Sequence, residues 1–424
     1  MQRRSFLRSA ALAAAAFGVP LARAEQAFST DAPPLPSENL FASDPERYWT
    51  ELRRQWLLAS DRINLNCGSV GCSPLPVLRA TIEHMLSAEE FREPAYPWFG
   101  YEENTRIHDL RDAMAAFLHI GRDELAILRN ATEANNVVCN GLELKSGNEA
   151  ILTDQEHPGC RGCWEQKASR YGIKIVNVAL PTPPESPEEI VSVFERSITP
   201  QTRILVFSHI TSPTGLILPV RQICAMARSK GVLTHVDGAH AVGQVPLDLH
   251  DLGCDFYASS PHKWLMAPKG TGLLYVREEL LERLWVNTCS GSWRDYSLKA
   301  YRFENLGTSN LSVMVGLKAA RDFYHTIGAE RIYARVHRQA QKVREIVLTH
   351  PEIRTANASR EDSYGGLVSF FNTKGDLAKV AAECDKRAIR TGYGSPRMRI
   401  ASHIFTQTKE IETFAEAVDA GMRA

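Results

Sequence analysis

Between about residues 105 and 285, short apolar runs rich in β-branched residues alternate with stretches of helical character, and this alternation limits the fold more than any other feature. The clearest strand runs are 150–153, 173–178, 203–208, 232–236 and 272–276. They are apolar throughout, rather than apolar at every second position, which means strands buried on both faces. Helices between such strands act as crossovers in a mostly parallel sheet. The expected class is therefore α/β. A large domain over 91–310 would carry a mostly parallel sheet covered by helices. A smaller C-terminal α/β domain over 311–424 would contain helices at 311–327, 330–350 and 409–422 and strands at 366–371 and 397–401. A chain of 424 residues is long enough for both.

Residues 25–90 read as an N-terminal arm packing with the small domain. A Pro-, Ser- and Asp-rich stretch at 25–45 would lie on the surface. A helix at 46–58, a short strand at 63–66, the turn Cys67-Gly68-Ser69-Val70-Gly71 and a helix at 76–88 would follow. The first 24 residues have another character. Arg3, Arg4 and Arg8 precede the apolar stretch 10–21 and the small-residue site Ala22-Arg23-Ala24. That is the order of a secretory signal, and the adjacent arginines followed by Phe6-Leu7 resemble a twin-arginine export signal. The apolar stretch is too short to span a bilayer. Its removal leaves 45 basic against 49 acidic residues, a net charge of −4. That charge gives no reason to expect a nucleic-acid partner. The implied location is the periplasm, reached folded through the twin-arginine machinery, with no stable membrane insertion after cleavage.

Nine cysteines, an odd number in a large chain, do not read as a disulfide framework. Cys139, Cys224 and Cys254 sit in apolar runs and suit buried free thiols. Cys160-Arg161-Gly162-Cys163 is a lone CxxC without the second pair of a zinc site. A metal centre on His157, Cys160 and Cys163 would lack a fourth ligand, so no metal is expected.

The chemistry concentrates in His235-Val236-Asp237-Gly238-Ala239-His240 and, 23 residues after His240, Lys263 within Ser259-Ser260-Pro261-His262-Lys263-Trp264. A carboxylate closing an apolar strand is costly unless a cation faces it. A protonated pyridine nitrogen is such a cation, and the pair keeps the ring an electron sink. A lysine that condenses with an aldehyde must first lose its proton, which burial promotes. Trp264, Leu265 and Met266 supply apolar neighbours. Taken singly, a strand-end Asp is often a helix cap and a lone Lys is usually solvated. The order and spacing give them their meaning.

This pattern resembles the class V aminotransferase family of fold-type I pyridoxal-phosphate (PLP) enzymes, over nearly the whole chain from about Asn64. The resemblance implies Lys263 as the Schiff-base lysine, Asp237 as partner of the pyridine nitrogen and His240 as donor to the ring's phenolic oxygen. It places Ala131 and Thr132 at the cofactor phosphate, in a segment that opens a helix whose N–H groups and dipole favour an anion. By sequence alone Thr132 is only a good helix cap. Ser260 and His262 match the family's further phosphate ligands. Gly307 and Thr308 match a segment that reaches the phosphate of a neighbouring subunit, which implies a homodimer with shared active sites. His157, otherwise a surface-loop histidine, matches the ring that stacks on the cofactor and helps move protons. Arg399 matches the arginine that grips a substrate carboxylate, with Arg390 and Arg397 as neighbours able to compete.

Two details resemble the isopenicillin N epimerase-like branch: Ser212 in Thr211-Ser212-Pro213-Thr214-Gly215, at the cofactor-binding place where desulfurases carry an asparagine near the ring oxygen, and the substrate loop from Asn66 to Gly71. The segment 390–396 contains no cysteine, so the nucleophile of a desulfurase is missing there. With the export signal, the resemblance extends to periplasmic tailoring enzymes of the siderophore pyoverdine. The expected substrate is then a small molecule or siderophore peptide whose chromophore-bound glutamate loses its α-carboxylate and is oxidised to a succinamide. Alternatives are transamination to a keto acid, amino-acid epimerisation, and a non-catalytic PLP-fold binding protein.

Overall fold

The computed structural model describes residues 33–90, 105–357 and 360–424. The leader, residues 25–32 of the arm and the first residues of the large domain lie outside these ranges. Thirteen strands are numbered here in chain order: β1 Ile63–Asn64, β2 Leu125–Leu128, β3 Glu149–Thr153, β4 Lys174–Val178, β5 Thr202–Ser208, β6 Leu233–Asp237, β7 Phe256–Ser259, β8 Gly272–Val276, β9 Ile353–Thr355, β10 Leu367–Asn372, β11 Ile389–Arg390, β12 Gly392–Gly394 and β13 Arg397–Ala401.

Seven of them form the central sheet in the order β2-β8-β7-β6-β5-β3-β4. From β4 through β7 all neighbours are parallel, whereas β8 runs antiparallel to both β7 and β2. Alternate residues of each strand enter opposite cores. Ile151, Leu205, Phe207 and Val236 pack on one face, and Ala150, Leu152, Ile204 and Val206 on the other. Burial on both faces is why the strands read as unbroken apolar runs. The fold is thus α/β with a mostly parallel, helix-covered sheet.

The expected strands at 150–153, 173–178, 203–208, 232–236 and 272–276 are present with ends shifted by at most one residue. Two strands of the central sheet escaped the sequence reading, β2 and β7, each four residues long and each next to β8, as did the two- and three-residue strands β9, β11 and β12 outside it. The C-terminal region places β9, β10, β12 and β13 in an antiparallel sheet of order β12-β13-β10-β9. The helices Leu311–Ile327, Ala329–Leu348 and Thr408–Arg423 accompany it.

The N-terminal segment touches both parts of the molecule. Ser73 donates to the Ala267 carbonyl of the large domain at 3.0 Å. Toward the C-terminal region, β1 pairs in parallel with β11, and Arg53 forms a two-pronged ion pair with Glu410. The helix Leu75–Glu89 packs along Leu311–Ile327. The expected helix at 46–58 is shorter, Pro45–Leu52 followed by a single 3₁₀ turn. Part of the expected irregular arm is helical, Glu38–Ser43, capped by Ser37.

All nine cysteines are free thiols, and Cys160 and Cys163 are buried one turn apart on the helix Pro158–Tyr171. Burial raises the Cys160 thiol well above its ordinary range, the opposite of a reactive cysteine. Among the described residues no cluster of His, Cys, Asp and Glu is arranged to hold a metal ion. Among them, too, no helix is long and apolar enough to cross a membrane.

Candidate active site

The loops at the carboxyl ends of β5, β6 and β7, with the turn after β2, surround a cavity of about 340 Å³. Open α/β sheets bind ligands at this edge, because crossovers leave a crevice there. Ala131, Thr132, His157, Ser212, Asp237, His240, Ser260, His262, Lys263 and Arg399 all line it. Asn66 stands just behind, bonded to Arg399 at 3.1 Å. Gly307 and Thr308 are not part of this cavity. Thr308 lines a neighbouring one of about 650 Å³, whose wall shares Asn130 and His262 with the first. A larger cavity of about 850 Å³, between Arg62 and Arg390, contains none of this set.

Lys263 is 8% exposed. Its Nζ lies 3.1 Å from His240 Nε2, while the Trp264 indole N–H donates to His240 Nδ1 at 3.3 Å. An indole N–H can only donate, so Nδ1 is an acceptor and a neutral His240 must carry its proton on Nε2. That N–H then points at Lys263, whose nitrogen accepts only as an uncharged amine. The electrostatics agree. Burial pushes Lys263 from 10.5 down to about 8, and burial, with the Lys263 charge beside it, holds His240 well below the usual histidine range. The lysine is thus prepared as a nucleophile, and His240 as a donor toward whatever oxygen replaces that amine.

Asp237 ends β6 and is buried. Its Oδ1 accepts the Ala239 N–H at 3.0 Å and its Oδ2 the Asn135 side-chain amide at 3.1 Å. Both donors fix the orientation of the carboxylate at the cavity, where it can face a cationic ring nitrogen. Asn135 escaped the sequence reading. Its place one helical turn beyond Thr132, on the same face, was the available signal.

The anion end is built at the helix Ala131–Gly141, but its cap is Asn130, whose Oδ1 accepts from the Glu133 N–H. Thr132 therefore sits inside the first turn and not at the cap. Ser260 accepts the Ala131 N–H at 2.9 Å, leaving its own hydroxyl hydrogen for a ligand. His157 caps the helix Pro158–Tyr171 through Nδ1, which accepts from Gly159 N–H. A Cβ on Gly159 would lie 2.6 Å from Thr132 Oγ1, so glycine there lets the two helix starts meet at the cavity.

The fourth wall is Arg399. Nη1 donates to Ser212 O and Oγ at 2.8 and 2.9 Å, and Nη2 to Asn66 Oδ1 and Ser69 Oγ at 3.1 and 2.8 Å. Ser212, expected at the cofactor, serves this arginine. Arg390 and Arg397 are exposed and do not line the cavity. The loop carrying Ser69 is pressed onto the lysine, since a Cβ on Gly71 would lie 2.2 Å from the Lys263 carbonyl oxygen.

The donor set fits PLP. Lys263 suits the aldehyde and Asp237 the pyridine nitrogen, and the start of the helix Ala131–Gly141 with Ser260 suits the phosphate. His262 Nδ1, buried and without a hydrogen-bond partner, lacks a ligand such as that phosphate would supply. When bound, PLP withdraws electrons from the α-carbon of an amino substrate.

Fold and site together define a fold-type I PLP-dependent enzyme. The chain belongs to the class V aminotransferase family, whose model matches residues 74–414. It is 33% identical to isopenicillin N epimerase of Streptomyces clavuligerus, across 88% of this chain and 98% of that protein. It is 26% identical to a probable cysteine desulfurase of Methanothermobacter thermautotrophicus, across 88% and 98%. Among solved structures, a lysine-to-alanine mutant of C-DES with glycine covalently linked to its PLP cofactor superposes with a TM-score of 0.75 at 25% identity, covering 87% of this chain and 99% of that one.

Proposed function

We propose that the chain is a periplasmic PLP enzyme of pyoverdine maturation, exported folded by the twin-arginine route and working as a homodimer with shared active sites. Its substrate is the glutamate carried by the siderophore chromophore. The reaction replaces the CH(NH₂)COOH terminus by a primary amide, consuming O₂ and releasing CO₂ and water, which leaves a succinamide. The observation that carries this reading is the Arg399 fork, placed in one cavity with Lys263. An amino acid whose amine meets Lys263 thereby presents its carboxylate to a guanidinium. The leader of residues 1–24 supports an exported role, because ordinary amino-acid metabolism is cytoplasmic. The neighbouring cavity with Thr308 beside Asn130 and His262 supports a subunit contact at the phosphate end.

Cysteine desulfuration is the poorer reading. All nine cysteines are described and none lines the cavity, and segment 390–396 forms β12 and its turn without a thiol.

Incubation of the purified, PLP-loaded protein with a glutamyl pyoverdine precursor in air tests the proposal. Intact mass should show the succinamide product with wild type and unchanged precursor with Lys263→Ala; unchanged precursor with both rejects it. The epimerase relatives favour one second reading, inversion at the amino-bearing carbon, which would leave mass unchanged and alter chirality. A keto-acid product with pyridoxamine phosphate would indicate transamination. A protein that bound precursor without converting it would be a binding protein.

A further inference from the structure

Beneath Asp237 lies a second buried carboxyl. Glu156, at the end of the turn after β3, is 7% exposed and has no cationic partner among the described residues. Its Oε1 accepts from Thr153 Oγ1 at 2.5 Å and its Oε2 from Ser208 Oγ at 2.7 Å. Asp237 and the buried thiol of Cys160 are its titratable neighbours across the packing, while Arg161 is engaged by the Thr153 carbonyl, Asn177 and Glu165. Ser208 ends β5, pairs in register with Asp237 on β6, and lines the cavity beside it. Burial, opposed by the two hydroxyls, brings Glu156 to about 7.

The direction of these bonds matters. Above that value the carboxylate is ionised and only accepts, so Glu156 then takes the single hydroxyl hydrogen of Ser208. The lone pairs of Ser208 are then the face left for the cavity. Thr153 is committed in the same sense, because its oxygen already accepts the Gln155 N–H at 3.1 Å. Two acceptors on adjacent strands, the Asp237 carboxylate and the Ser208 oxygen, thus border the same end of the cavity.

We infer that Ser208, its hydroxyl turned by Glu156, is a second acceptor for the ring-nitrogen proton of bound PLP, and that Glu156 is a positioning residue acting through it. The inference rests on the PLP assignment and not on the identity of the substrate. Without Glu156 the serine hydroxyl is free to rotate and offer a hydrogen where the ring nitrogen also offers one. Ser208 would then add nothing to retention of the ring proton.

The test uses full-length protein loaded with PLP labelled with ¹⁵N in the ring, whose chemical shift reports protonation of that nitrogen directly. Losing one hydrogen bond from a charged donor should move the pH at which the proton leaves down by about one unit, and weaken PLP binding about tenfold. Ser208→Ala and Glu156→Leu should both show this. Glu156→Gln, whose amide oxygen still accepts from Ser208, should stay near wild type, as should Thr153→Val, which removes only the other donor. If Glu156→Leu does not fold, Ser208→Ala carries the test, since it removes one oxygen atom. An unchanged titration and affinity in Ser208→Ala overturns the inference, as does a Thr153→Val shift equal to that of Glu156→Leu. Failure of wild type to bind PLP would overturn the cofactor assignment instead.

Discussion

The two ends of the cavity are built differently. At the cofactor end, Asp237, His240, Ser260 and Lys263 come from the end of β6 and from the loops that follow the adjacent parallel strands β6 and β7. At the carboxylate end, Arg399 on β13 is held by Ser212 after β5 and by Asn66 and Ser69 from the N-terminal segment. Arg399 reaches across 187 residues to Ser212 and across 330 to Ser69, so three regions distant in sequence meet there. The first end provides chemistry that PLP enzymes share, and its partners are buried. The second end is the one we propose receives the substrate carboxylate, and its fork is already occupied by protein acceptors. A substrate carboxylate must therefore displace neutral hydroxyl or amide partners, which makes loop 66–71 the adjustable element.

The contrast predicts a graded set of effects. Lys263→Ala should cut turnover by roughly 10³ or more, while leaving the fold intact. The reaction of apo protein with PLP should accelerate with pH. A lysine brought down to about 8 is mostly protonated and unreactive below that value. Capture should thus rise about fiftyfold from pH 6 to 8, close to tenfold over the first unit, and then level off within a further factor of about two. Stopped-flow absorbance would show it, and a continued rise toward 10.5 would mean an ordinary exposed lysine.

Arg399→Lys acts only on the other end. Losing the fork should raise KM for a carboxylated substrate about 10- to 50-fold, with kcat changed far less, in steady-state assays. The smallest effect has the unusual sign. Ser69→Ala removes a competing acceptor and should tighten carboxylate binding by up to about fivefold, as read by spectral titration with an amino-acid ligand. Weaker binding would show that Ser69 holds the arginine in place rather than competing for it.

The same contrast explains what the sequence made readable. Lys263 and Asp237 could be located because a short, ordered spacing of unlike residues survives in linear form. The central strands could be located because burial on both faces leaves unbroken apolar runs. β2 and β7 were missed because four-residue strands carry little pattern beside the longer β8. The bonds of Arg399 to Ser69 and Ser212 were out of reach, since nothing in the linear order reports which loops the tertiary fold brings together. The roles of Trp264 and Glu156 were hidden for another reason. Trp264 sets the tautomer of His240, and Glu156 the direction of a hydroxyl, and such effects exist only once donors and acceptors have definite positions.

Lys263 remains the residue on which the whole account depends, and its covalent link can be trapped. Borohydride reduction of the PLP-loaded protein, followed by proteolysis and mass spectrometry, should place a phosphopyridoxyl group on the peptide containing Lys263, and on no other lysine. A reduced adduct at a different lysine, or a protein that carries none after incubation with PLP, would contradict the assignment.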